Sequence, residues 1–137
     1  MSYELRDHTA DVAVEATGPT LGGAFAAAAD GMAAAMCEEV PASGGERFDV
    51  EVRAEGREAL LFDYLDELIY ERDVRGVLPV DNEAVVRREA DEWTLTGSAR
   101  GVPLAGLGAR DLKAVTYSEM ALDETDDGWR AYVVFDV

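Results

Sequence analysis

Hydrophobic and polar positions repeat with a period of two over residues 3–17, with Val12, Val14 and Ala16 on one face and Asp11, Ala13 and Glu15 on the other. That span predicts a β-strand, ended by Gly18-Pro19. From Thr20, whose hydroxyl suits an N-cap, the period becomes helical, and Leu21, Phe25, Ala28, Met32 and Met36 share one face up to about Cys37. Gly22, Gly23 and Gly31 each weaken this helix by about 1 kcal/mol relative to alanine, and the many alanines around them offset the loss. The methionine stripe reads as core packing.

Pro41-Ala42-Ser43-Gly44-Gly45 is a loop, after which Phe48, Val50 and Val52 alternate with charges in a strand from Arg47 to Ala54. A second helix is predicted from about Arg57 to Asp73. Its apolar stripe is Leu61, Tyr64, Leu65, Leu68 and Ile69, and Asp63, Asp66, Glu67 and Glu71 occupy the flanks as a solvated face. Beyond Gly76, Val77–Val80, Ala84–Glu89 and Trp93–Ala99 read as short strands, and residues 101–111, rich in glycine, as a mobile loop. Helices and strands without strict βαβ alternation predict an α+β fold. The expected architecture is a single compact domain over 1–137, with a mainly antiparallel sheet, two helices packed on one face and a C-terminal β-hairpin.

That hairpin carries the first hint of a site. Lys113–Leu122 and Trp129–Val137 are β-rich, and Asp126-Asp127-Gly128 supplies the turn between them. If Leu122 faces Trp129, Lys113 lies level with the chain's last residues, near Asp136 and, if Val137 is the natural end, near a terminal carboxylate. The acidic turn is no EF-hand: its twelfth position is Val134 rather than a bidentate glutamate, and strands flank it.

Charge then narrows the function classes. The chain has 29 acidic and 12 basic residues, a formal net charge of −17, and Lys113 is its only lysine. Such a field disfavours naked nucleic acid and anionic membranes as direct partners. An acidic, lysine-poor, alanine-rich surface suits molar salt, where the Debye length is about 3 Å, and points to a halophilic source. One cysteine, Cys37, allows no intrachain disulfide and no cysteine-based zinc site. Together with the lack of a signal segment or a long apolar run, this predicts a cytoplasmic protein.

Glycine-rich phosphate loops and nucleophile motifs are absent, and the single histidine, His8, cannot build a two-histidine metal site. What remains is hard oxygen. Asp11 in His8-Thr9-Ala10-Asp11, Asp136, main-chain carbonyls and the terminal carboxylate make a set that favours calcium or magnesium over zinc. His8 is expected to order the turn that presents Asp11. The same three residues, Asp11, Lys113 and Asp136, also fit an ordinary ion-pair network at a sheet end, or an independent divalent-metal-dependent phosphohydrolase.

Four stretches in order resemble the archease family along nearly the whole chain. These are Asp7-His8-Thr9-Ala10-Asp11-Val12, the helix from Thr20-Leu21 to Met32, the helix from Leu60 to Tyr70, and Lys113-Ala114-Val115-Thr116-Tyr117 with the closing Val134-Phe135-Asp136-Val137. The resemblance implies an accessory protein, itself no enzyme, that activates an RtcB-type tRNA-splicing RNA ligase. It implies that the chain promotes the ligase's guanylylation and multiple turnover, broadens its nucleotide use, and contacts RNA only through the ligase. It further implies a divalent cation, usually calcium, at Asp11, Asp136 and Val137, and a functional lysine at Lys113. Two departures are visible: Gly22-Gly23 replaces the acidic pair common after Thr-Leu, and the chain closes in Asp-Val where Asp-Ile is usual.

Overall fold

The computed structural model describes residues 2–8 and 11–137, with the backbone alone at 6–8. Its elements in chain order are β1 (Ser2–His8), β2 (Asp11–Gly18), α1 (Leu21–Met36), β3 (Glu46–Ala54), α2 (Arg57–Arg75), β4 (Val77–Glu89), β5 (Glu92–Pro103), β6 (Ala114–Thr125) and β7 (Gly128–Asp136). The α+β class, antiparallel pairing, two helices and C-terminal hairpin are all present. The strands divide between two sheets, of order β1-β2-β7-β6 and β3-β5-β4. No helix among the described residues is long and apolar enough to cross a membrane.

Three local expectations change. The span read as one strand over 3–17 is a hairpin, in which His8 faces Asp11 and β1 folds back along β2. Alternation alone cannot reveal such a reversal, because both arms keep the same period. The two short strands at 77–80 and 84–89 are one strand, β4, broken in register between Val80 and Glu83 by a bulge at Asp81-Asn82. The loop expected at 101–111 begins later, since β5 runs to Pro103, and it is tied down, as described below.

Helix α1 is the centre of the molecule. Thr20 caps it, its hydroxyl oxygen accepting from the Gly23 N–H at 2.9 Å. Fourteen of its 16 residues are buried, which a one-sided amphipathic helix would not show. The cause is contact with both sheets. Gly22 and Gly31 are nine residues apart, half a turn out of phase at about 100° per residue. A Cβ on Gly22 would collide with the Ala84 carbonyl oxygen of β4, and one on Gly31 would stand 2.5 Å from Val14 Cγ1 of β2. Each glycine therefore lets one sheet approach the helix closely. Helix α2 lies against β3, β4 and β5 of one sheet and β6 of the other. It ends at Gly76, whose left-handed φ of 66° lets its N–H reach the Arg72 carbonyl at 2.8 Å.

The β4 bulge turns Asn82 into the core, where its backbone N–H and its side-chain amide both donate to Asp30 Oδ1 of α1, at 3.0 and 2.8 Å. Burial raises the Asp30 pKa, Asn82's hydrogen bonds oppose that, and the Asp81 charge adds to it. Two buried oxygens, Asn82 Oδ1 and Tyr64 Oη, have no partner among the described residues. A carboxyl whose pKa rises on folding holds its proton more tightly in the folded chain. Its stabilising contribution is therefore full below the ordinary carboxylate pKa and is lost as pH rises through the raised value. Asp30→Asn keeps the acceptor for Asn82 and removes the buried charge. It is expected to stabilise the fold at pH 7 by about 1 kcal/mol, with the gain shrinking toward pH 4. Thermal melts at the two pH values check this, and a variant less stable than the parent at pH 7 would show that the charge is needed there.

Candidate functional site

Three strand ends meet at one edge of the four-stranded sheet. β2 begins at Asp11 and β7 ends at Asp136, and the two residues face each other directly in the antiparallel register. β6 begins at Ala114, which also faces Asp136, and the Lys113 N–H donates to the Asp136 carbonyl at 2.9 Å. Directly opposed residues project to the same side of a sheet. By alternation Asp11 and Asp136 lie opposite in parity to Val14 and Val133, and Val14 packs on α1. Lys113 and Asp136 are exposed, and Asp11 and Val137 half-buried.

The segment from 104 to 113 carries Lys113 to this edge, and it is held by two arginines that sequence reasoning missed. Arg72 of α2 is 6% exposed. Its guanidinium donates to the Leu112 carbonyl at 2.8 Å and to Met36 Sδ at 3.2 Å through Nη1, and to Asp73 through Nε at 3.0 Å. Arg110 donates to α1's unsatisfied C-terminal carbonyls, from its backbone N–H to Met36 and from Nε to Ala35, each at 2.7 Å. Leu112 is fully buried between them. The signal for Arg72 was available: it continues the inward stripe of α2 at positions 61, 65, 68 and 72.

Helix α1 starts beside Gly18, at the far end of β2, and finishes against Arg110. Its negative dipole end is met there by the Arg110 guanidinium. Two carboxylates in directly opposed positions repel each other, and a shared cation relieves that repulsion. Among the described residues no group of three or more His, Cys, Asp or Glu gathers around a metal position. The carboxylates that the strand register sets face to face are two, Asp11 and Asp136. The His8 side chain, with Thr9 and Ala10, lies outside the described residues.

The carboxylates on the flanks of α2 sit elsewhere. Asp63 is beside Tyr117, and Glu67 has its pKa raised by desolvation and then by the neighbouring charges of Glu71 and Asp66. Cys37, the C-cap of α1, is buried with its thiol 3.4 Å from the Glu39 carbonyl. A cleft of about 560 Å³ opens between Leu5, the end of α1 and residues 107–110, yet its lining includes none of Asp11, Lys113 and Asp136. The candidate residues lie at a sheet edge. An edge can be inserted into another molecule's site, whereas small-molecule substrates are normally held in concave ones.

Comparison with known proteins agrees with this architecture. The model of the Archease protein family matches residues 3–137. The chain is 34% identical to Protein archease of Methanosarcina barkeri, covering 98% of this chain and 95% of that protein, and 30% identical to Protein archease of Pyrococcus furiosus, covering 98% of each. The solution structure of protein 1598 of Methanobacterium thermoautotrophicum superposes with a TM-score of 0.87 at 32% identity, covering 99% of both chains. A crystal structure from Thermotoga maritima, of an archease described as a "possible chaperone", shares the fold with a TM-score of 0.62 at 23% identity.

Proposed function

This chain belongs to the archease family, and from that membership we propose that it is a cytoplasmic accessory protein that activates an RtcB-type tRNA-splicing RNA ligase. In this reading it promotes ligase guanylylation and turnover, broadens nucleotide use, and has no catalytic residues of its own. The observation that supports a site-based role is the register that sets Asp11 opposite Asp136 with Lys113 alongside. Asp11, Asp136 and a main-chain oxygen of Val137 are the residues that would hold a divalent cation, hard oxygen donors suiting calcium or magnesium and the family resemblance implying calcium. When bound, such a cation supplies positive charge for nucleotide phosphate oxygens. Lys113, exposed at the same edge, adds a mobile ammonium able to pair with a phosphate. The strand register brings Asp11 and Asp136 opposite each other before any partner arrives.

The acidic surface supports a protein rather than RNA as the direct partner. The test is a reconstituted ligation assay with calcium titrations by calorimetry. Asp11→Ala and Asp136→Ala are each expected to weaken calcium binding and to cut stimulation of ligase turnover at least tenfold, in line with the loss of a metal-site group. Variants that stimulate as well as the parent chain would remove the carboxylate pair from the mechanism.

A further inference from the structure

Strand β6 departs from its partner in the middle. Thr116 faces Val134 and Ala121 faces Tyr132, so the four residues 117–120 stand against Val133 alone. Within this bulge Glu119 takes a left-handed φ of 57°, which a residue with a side chain adopts at a cost. Bulges of this kind re-aim side chains on edge strands. Here the side chain is Tyr117, whose ring stacks on Phe62 of α2 with centroids 4.2 Å apart and planes 8° from parallel. It is nevertheless 54% exposed. One ring face stacks on Phe62, which lowers the rotamer entropy that Tyr117 would lose in a further contact.

The surface around it is acidic and apolar together. Asp63 lies close enough that its charge, after desolvation, helps raise the Tyr117 pKa. Along the same outer face of α2 follow Asp66, Tyr70 and Val74, the last two 58% and 62% exposed and one turn apart. Phe62 to Tyr70 spans roughly 12 Å of helix, and α2 runs toward the edge where Arg72 holds Leu112 next to Lys113. Tyr117 itself is three residues along β6 from Ala114, about 10 Å from the candidate site.

We propose that this face, anchored by Tyr117, is a docking surface for an arginine- or lysine-bearing apolar patch on the ligase, an inference that rests on the ligase reading above. Charge complementarity selects the occupant. A guanidinium can lie on the outer face of the Tyr117 ring and pair with Asp63, whereas RNA would bring phosphates against Asp63 and Asp66. A partner bound here would have the Asp136 edge within reach of its active site, so two separate surfaces would fix its orientation.

The experiment titrates ligase guanylylation against the concentration of this protein, in the lowest KCl that keeps it folded. Tyr117→Ala is expected to raise the half-maximal concentration by about tenfold or more, as loss of an aromatic anchor does, with the plateau unchanged. Tyr117→Phe should retain parent-like behaviour, and Asp66→Arg, a surface change on an exposed helix position that leaves the fold intact, should shift the titration in the same direction as Tyr117→Ala. Half-maximal concentrations within twofold of the parent for both Tyr117→Ala and Asp66→Arg would overturn the docking surface while leaving the ligase reading in place. A parent chain that fails to stimulate would overturn the ligase reading and this inference with it. Self-association in sedimentation equilibrium that Tyr117→Ala abolishes would overturn it too, by assigning the face to a second copy.

Discussion

Gly22→Ala is expected to destabilise the fold by roughly 2–3 kcal/mol, the magnitude of overpacking in a close-packed interior. Helix propensity predicts the opposite sign, a gain of about 1 kcal/mol for replacing an internal helical glycine by alanine. The two effects can be ranked because the obstruction is known. The new methyl would meet the Ala84 carbonyl oxygen of β4, which is backbone and cannot rotate aside. Relief would require the first turn of α1 and β4 to separate. Gly31→Ala should act in the same direction through Val14, which is fully buried, with the Tyr3 Cβ next at 3.3 Å. Thermal melts should show both variants below the parent, with a fall of about 3–5 °C per kcal/mol. A higher melting temperature for Gly22→Ala would mean that propensity wins and that the sheets are not closely packed on α1.

The same glycines show where the sequence was legible and where it was not. Helical spacing located α1, its Thr20 cap and its approximate end, because those are local properties of a periodic segment. What the segment packs against is not local. An Ala- and Gly-rich helix reads as weak, yet here small side chains on every face are what contact with two sheets demands. The hairpin β1–β2 was hidden for a related reason, since a reversal between arms of equal period leaves no mark in the alternation.

The expected placement of Lys113 level with Asp136 holds because two departures from the expected register offset each other. The hairpin arithmetic paired Leu122 with Trp129, but the turn is tighter and Leu122 faces Ala131. That two-residue displacement is compensated by the bulge at 117–120, which adds three residues to β6 before the strands regain register. Ala114 consequently faces Asp136, within one residue of the expected level, and Lys113 arrives beside it. Asp11 came from its motif, and its position opposite Asp136 required the β2–β7 pairing, which no spacing along the chain encodes. The segment before Lys113 misread as mobile because its composition is glycine-rich, while its restraint comes from arginines on other elements and from one buried leucine.

Arg72→Met tests whether that restraint is what positions Lys113. Methionine matches the arginine stem in reach and flexibility but donates no hydrogen bond. The buried Leu112 carbonyl would lose its charge-assisted donor, and the 104–113 segment would keep the Arg110 contacts, the Leu112 side chain and the backbone bonds of Leu104 and Lys113 to Gly76 and Asp136 as attachments. Loss of one partner from a buried charged contact, less the packing that methionine restores, should cost about 3 kcal/mol. Stability alone does not distinguish a latch from generic core damage, and Gly22→Ala supplies the control because it carries a similar loss at a distant interface. Well below either melting temperature, hydrogen exchange at the Arg110 and Lys113 amides, which donate to Met36 and Asp136, should accelerate at least about tenfold in Arg72→Met and stay near parental in Gly22→Ala. Equal acceleration in both variants would make Arg72 an ordinary core residue. Selective acceleration would show that a buried guanidinium on α2 holds the only lysine of the chain at the edge where two aspartates meet.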